Sequence, residues 1–457
     1  MRKASIVLAG AVMVGLCGAE AAWAESLEDV LSSAYSTNPN LLARRARVRS
    51  SDEAVPQALS NWRPTVSLTG SIGRGSYSSN SLTRYDSLRT PKTGALTITQ
   101  PLFRGGRTLA ATSQADNTVL SERALLAATE QSVLLAAATA YLTVVRDEDV
   151  LKLSINNEEV LRRQLEATQE RFKVGEITRT DVSQAEARLS KATADRVAAA
   201  GNLQSTVANY VNTVGHAPIS PKQPGMPPQL PASLDELKTV ALGQNPNVVA
   251  ADFAHAAARD GVDLVFGELL PTLSLSGDIT RTLQTTTVKS ETIAREVLLN
   301  LSVPLYEGGG TYARVRASKH TAGQRRIESD QARRDALETA TKAWESLQAA
   351  QAQAKAYETQ IKASELALAG VREESKVGSR TVLDVLNAEQ ELFDARVNLT
   401  KAQRDVLAGA YQVKSAMGQM TAQGLNLPVS IYDPAKHYDD VSGKWIGNGI
   451  DTENGYE

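Results

Sequence analysis

Cysteine is nearly absent from this chain of 457 residues: Cys17 is the only thiol. It lies in an N-terminal stretch with the three-part pattern of a secretory signal peptide. Arg2 and Lys3 precede an apolar run from Ile6 to Leu16, and Ala22-Trp23-Ala24 puts small residues where a signal peptidase cleaves, so residues 1–24 are expected to be removed before Glu25. The mature chain then carries neither disulfides nor thiol chemistry, although it is exported. Leu16, rather than a small residue, precedes Cys17, which argues against lipid attachment there. An excess of one charge is also lacking. Lys and Arg number 49 against 51 Asp and Glu, a net −2 that gives no support to nucleic-acid binding. Beyond the signal, no segment approaches the run of about 18 apolar residues expected of a membrane-spanning helix. A mean hydropathy of −0.24 excludes a polytopic helical membrane protein. The four histidines (His216, His255, His320, His437) are scattered, with no metal-ligand spacing and no nucleophile motif. They read as surface residues, and the chain as a non-enzyme with no cofactor or metal.

Proline is missing from two long runs, Leu102 to Ala217 and Leu305 to Leu427. Each is interrupted once. Lys173-Val174-Gly175-Glu176-Ile177-Thr178-Arg179-Thr180-Asp181 breaks the first, and Lys376-Val377-Gly378-Ser379-Arg380-Thr381-Val382-Leu383-Asp384 breaks the second. In both, Val-Gly stops a helical pattern and Thr-x-x-Asp restarts it as a capping box. Gly175 and Gly378 are expected at positive φ. The likeness extends along the chain. Asn38-Pro39-Asn40 returns as Asn245-Pro246-Asn247, Pro64-Thr65 as Pro271-Thr272, and Gly70 as Gly277, all at one offset. Pro101-Leu102-Phe103 returns as Pro304-Leu305-Tyr306 and Gly105-Gly106 as Gly308-Gly309, at an offset four residues shorter. The chain is a duplication, and the change of offset marks a loop.

The expected organisation is a signal peptide (1–24), a first repeat (25–215), a Pro-rich extended connector (216–232), a second repeat (233–418) and a polar tail (419–457), partly disordered from Tyr432 onward. Each repeat begins with short helices broken at Asn-Pro. Two alternating segments follow, about 65–75 and 94–103, then 272–281 and 295–305 in the second repeat. Their period of two predicts strands, about ten residues long and so able to cross a bilayer when tilted. Residues 73–94 and 281–294 are expected as polar connecting loops. A helix over about 107–172 (311–375) would be about 100 Å long at 1.5 Å per residue, and its return, about 180–214 (382–416), about half that. Leu120, Ala127, Leu134 and Tyr141 fall seven apart, a heptad line for close coiled-coil packing. The return helix and the short helix before the strands together nearly equal the long helix. Four strands cannot close a barrel, yet bilayer-exposed edges are forbidden. Strands in a membrane would therefore be pooled from several chains, eight from two or twelve from three.

The duplicated plan, the Pro-Leu-Phe/Tyr-x-Gly-Gly corner and Val-Gly-x-Arg-Thr-x-x-Asp-Val-Leu together resemble the TolC family of outer-membrane channel proteins, from about Leu27 to Gly418. The resemblance implies a fold that is mainly α with a membrane β-barrel portion: duplicated strand pairs and long coiled-coil helices in a homotrimeric tunnel of twelve strands and twelve helices. It implies residence in the outer membrane of a Gram-negative bacterium, in contact with its lipid. Expected partners are a periplasmic adaptor (membrane fusion) protein and an inner-membrane ABC or RND-type transporter. The function would be that of a passive duct for type I protein secretion or efflux of small toxic compounds. A non-channel periplasmic coiled-coil adaptor or a structural envelope protein is the alternative. The resemblance puts the Val174-Gly175 and Val377-Gly378 turns at the periplasmic tip, where the tunnel closes and the adaptor docks. It assigns Arg380 to links with a neighbouring helix, Asp181 to those same links, and Asp384 to an acidic ring on the threefold axis whose pKa should be raised. Asn387 stands where some members have a second acidic residue, so a double ring is not expected. Ser375 replaces a tyrosine of the closing network. Gly105, Gly106, Gly308 and Gly309 are expected as sharp strand-to-helix corners, with Phe103 and Tyr306 at the membrane interface.

Overall fold

The computed structural model describes residues 25–79 and 85–450; the expected signal peptide and the last seven residues lie outside them. In the first repeat α1 (Leu27–Thr37), α2 (Pro39–Asp52) and α3 (Ala54–Leu59) lead to β1 (Thr65–Ile72), β2 (Gly75–Ser79), β3 (Tyr85–Arg89) and β4 (Lys92–Arg104), then α4 (Arg107–Lys173) and α5 (Arg179–Val214). The second repeat comprises α6 (Leu234–Gln244), α7 (Pro246–Phe266), β5 (Thr272–Leu283), β6 (Glu291–Ser302), α8 (Gly310–Lys376) and α9 (Val382–Ala416), and α10 (Lys436–Ser442) follows. Local chemistry sets these boundaries. Asn38 and Asn245 cap helices whose first residue is proline, a position where the missing N–H is harmless. Pro56 cannot bond back to the Asp52 carbonyl, so α2 stops there. The second copy has Asp263 at that place, and α7 runs through.

The sheet is antiparallel in the order β1-β4-β5-β6. Its register sorts side chains cleanly. Val66 opposes Ile98, Ile98 opposes Gly277 and Gly277 opposes Val297; one step along, Thr97 opposes Asp278 and Asp278 opposes Glu296. One face therefore carries Val66, Leu68, Ile72, Ile98, Leu275, Ile279, Val297, Leu299 and Leu301, and much of it is exposed, Leu68 at 81% and Leu301 at 66%. The other face is hydroxyl-rich and internally bonded, Thr97 Oγ1 donating to Asp278 (2.7 Å) and Asn300 to Ser276 (3.1 Å). Residues 73–94, expected as a loop, contain the β2–β3 hairpin instead. The Arg89 guanidinium stacks 4.0 Å over Tyr77 and donates to the carbonyls of Thr285 and Thr286, tying β3 to the other repeat.

In the helices the buried seam is a heptad, but not the line expected. Val119, Leu126, Val133, Ala140, Asp147, Ser154, Leu161 and Thr168 fall seven apart and are all buried. Leu134 and Tyr141 are buried beside that line, whereas Leu120 is 38% exposed. Ala185, Ala192 and Ala199 on α5 and Ala395, Ala402 and Gly409 on α9 keep the same spacing with small side chains, allowing close approach. An added Cβ at Gly409 would sit 3.3 Å from the Leu347 backbone. A stretch of α4 reaches a mean hydropathy of 1.3, contrary to the expectation of no such run, because alanine and leucine crowd where α1, α2, α5 and α9 converge; half of it is buried inside the chain.

The tail departs most from expectation. Residues 419–450 are ordered and strap the second repeat onto the first. The Tyr432 N–H donates to Tyr35 Oη (3.0 Å), and Arg45 lies between the rings of Tyr35 and Tyr432. His437, read as a surface residue, meets the wholly buried Asp52 at 3.1 Å, and Tyr438 donates to Asp116. Pairs 385 residues apart leave no local trace in a sequence.

Candidate functional site

The far ends of the long helices form two turns of nearly identical geometry. Gly175 and Gly378 both adopt φ +80, a left-handed conformation that glycine reaches without the Cβ penalty. The Gly175 N–H donates to Phe172 and that of Glu176 to Arg171; Gly378 and Ser379 repeat this with Ser375 and Glu374. Thr178 and Asp181 then form a capping box, as do Thr381 and Asp384. The carboxylate of Asp384 accepts the Thr381 N–H (2.9 Å) and hydroxyl (2.8 Å), and that of Asp181 accepts the equivalents from Thr178 (3.0 and 2.7 Å). Val174 and Val377 point outward, 72% and 80% exposed, an apolar pair at the very tip.

Within one chain Asp384 is held below the ordinary carboxylate range, first by the Thr381 N–H, then by its hydroxyl, with Arg380 adding to the effect. The raised value expected of a ring needs two further copies to face it. Arg380 bonds Glu374 of its own turn (2.9 Å) rather than a neighbouring helix. The first turn makes the same kind of link with charges exchanged, Arg171 to Glu176 at 3.0 Å. Both pairs bridge a glycine turn, so their spacing does not match the i,i+4 pattern by which helical pairs are found. Asn387, noted only as a missing acid, accepts from Arg188 (2.8 Å) and joins α5 to α9. Ser375 is buried at the base of its turn. Arg380 and Asp181 therefore each bond within their own turn, and Arg188 supplies a polar link from α5 to α9.

Behind the turns α4, α5 and α9 share an apolar knot of Leu161, Ala185, Ala192, Val382 and Leu386. Arg372 pairs with Glu389 to tie α8 to α9. Glu158 receives Arg196 and Thr193 from α5 and Arg162 from its own helix. Burial pushes the Glu158 carboxyl up, but these donors outweigh it and leave it below its usual range. Each tip is thus a charged, separately capped turn on a packed coiled-coil base.

At the other end Gly105 and Gly106 (φ +63 and +75) turn β4 directly into α4, whereas Gly308 and Gly309 (φ +67 and +81) open α8 only after residues 303–307, because β6 stops at Ser302. A Cβ on Gly105 would lie 2.3 Å from the Gly267 carbonyl oxygen, because the corner of the first repeat packs directly on the second. A Cβ on Gly308, its counterpart, would meet nothing within 4 Å among the described residues.

The family model described as "Outer membrane efflux protein" matches residues 30–216 and 237–419. The chain is 36% identical to the outer membrane efflux protein BepC of Brucella suis over 97% of its own length and 95% of that protein. It is 27% identical to the outer membrane protein TolC of Vibrio cholerae over 88% and 93%. Its fold matches the solved outer membrane protein VceC of Vibrio cholerae with a TM-score of 0.75 at 20% identity, covering 86% of this chain and 96% of that one.

Proposed function

The chain belongs to the outer membrane efflux protein family, and we propose that three copies close into one export duct gated at the helical tips. The protein is an outer-membrane channel of a tripartite export system. One observation carries the closure: each layer of the single chain ends on an edge equivalent to one it has already paired internally. β4 pairs with β5, so β6, the repeat of β4, is left to pair with β1 of the next copy. In the helical layer α7 lies between α4 and α8, and by the same rule α2 of the next copy lies against the free flank of α8. The corners support this reading. Inside the chain Gly267 is crowded by Arg107, whose Cγ would be 2.5 Å from an added Cβ. Between copies the same places hold Ser60 and Gly310, so the bulk lost on one side returns on the other. A head-to-tail contact of this kind closes into a ring when its rotation returns to the first copy. Three copies give twelve strands, with the apolar face in lipid and the hydroxyl face lining the pore.

The tips are the gate. Three Asp384 carboxylates converging on one axis would attract cations and raise one another's pKa, offsetting the cap that lowers it in a lone chain. Arg380, Asp181, Arg188 and Asn387 set the tip's resting position; Ser375 lets α8 close tightly on the turn. Val174 and Val377 offer the apolar contact for a periplasmic adaptor, which couples the duct to an inner-membrane ABC or RND-type transporter.

Planar-bilayer recording of the purified oligomer tests the duct. Small cation-preferring openings are expected, with Asp384→Ala weakening that preference. Well-folded oligomers that never conduct, even with Arg380→Ser, would refute a gated duct and favour a non-channel envelope protein.

A further inference from the structure

We propose that the segment after α10 is a lipid-contacting anchor, with Trp445 and Ile446 seated among the phospholipid headgroups of the leaflet nearest the helices. This rests on the duct reading, which puts β1 in the bilayer and α4 below it. The segment is not loose. Val441 is buried against the short helices, and Tyr438 Oη donates to Asp116 (2.9 Å). Arg63, two residues before β1, then fixes its end: Nη1 donates to the Lys444 carbonyl (2.6 Å), and the guanidinium lies 4.8 Å over the Trp445 ring. Trp445 is nonetheless 66% exposed and Ile446 91% exposed. An ordered backbone thus holds an indole and an isoleucine outward at the root of β1.

That level is defined independently. Trp62 (37% exposed), Phe103 (45%) and Tyr306 (79%) belong to the same end of the sheet, where the apolar face begins. Amphipathic aromatic rings favour the boundary between acyl chains and water. Arg63 and Lys444 flank Trp445 with two cations, complementary to lipid phosphates. A water-filled lumen would leave Trp445 and Ile446 with no apolar contact on their exposed sides. Nothing local announces the role, since residues 443–450 read as polar tail.

Depth-dependent quenching in proteoliposomes decides the matter. The mature chain has three tryptophans, Trp62, Trp344 and Trp445. With Trp62→Phe and Trp344→Phe in place, Trp445 emission is expected to fall when brominated phosphatidylcholines replace the plain lipid, more for bromines near the headgroup than near the chain end. Should that double variant not fold, the difference between wild type and Trp445→Phe gives the same readout. A reference chain with all three replaced by phenylalanine and Leu68→Trp carries its only indole on the strand face. Quenching at residue 68 without quenching at 445 overturns the anchor and leaves the duct standing. So does a Trp445 shielded from both lipid and aqueous quenchers, the result expected of protein burial. Quenching at neither position overturns the membrane reading itself.

Discussion

Replacing Gly308 with alanine exposes whether a neighbour is really there. In a lone chain the substitution costs only the left-handed strain at φ +67, about 1–2 kcal/mol. Gly309→Ala at φ +81 costs the same, and neither Cβ meets an atom of the described residues within 4 Å. The repeat rule separates the two. The Gly105 corner would drive a Cβ to 2.3 Å from a backbone oxygen of the other repeat, about 1 Å inside ordinary contact. If Gly308 meets residue 60 of the next copy in the same way, its Cβ must push two backbones apart, an overpacking cost of about 1–3 kcal/mol at each junction. Gly106, the counterpart of Gly309, has no such contact among the described residues of the chain. Gly308→Ala should therefore lower the temperature at which detergent-resistant oligomers dissociate well below that of Gly309→Ala. Equal dissociation temperatures would refute the repeat-equivalent junction.

The ionic groups separate fold from gate. Arg380 and Glu374 are both about half exposed, and a solvent-screened pair of that kind adds little to stability. Arg380→Ser should leave thermal unfolding by circular dichroism nearly unchanged while raising open probability in bilayers; a large loss of stability without altered gating would contradict this. Glu158 titrates lower in the fold than the ordinary 4.5, so its contribution is fully present above about pH 4.5 and is lost as pH falls through the depressed value. Glu158→Gln should be less stable than wild type at neutral pH, and the gap should narrow on acidification; a gap independent of pH would remove Glu158 from the account.

Much of this was legible in the sequence because the chain states its plan twice. The offset between Gly175 and Gly378 and the Thr-x-x-Asp boxes located both tips, and alternation in residues 65–72 gave β1 its two faces. The heptad was found one residue off, since alanines fill seam and flank alike and hydrophobicity alone cannot tell them apart. The β2–β3 hairpin was missed because serine dominates it, and its link through Arg89 to the other repeat leaves no local signal. Glu374 and Arg188 were missed for a similar reason: each acts across a turn or between helices. The strap is held by Arg45, Asp52 and Asp116, each paired with a residue more than 320 positions away.

The proposed ring of three chains, closed by β6 against β1, is open to direct cross-linking. The pairing of Ile98 with Gly277 and of Thr99 with Ser276, carried to the next junction, sets Leu301 against Gly70 and Ser302 against Thr69 of the neighbouring chain. Adjacent antiparallel pairs alternate in type, so one of the two is the non-hydrogen-bonded kind, about 4.5 Å between Cα atoms and within disulfide reach. The mature chain has no other cysteine. Paired cysteines at 70 and 301, or at 69 and 302, oxidised in outer membranes and run under denaturing conditions, should give covalent dimers and trimers and nothing larger. Monomers alone from both pairs, or a ladder ending at two or running past three, would contradict the ring.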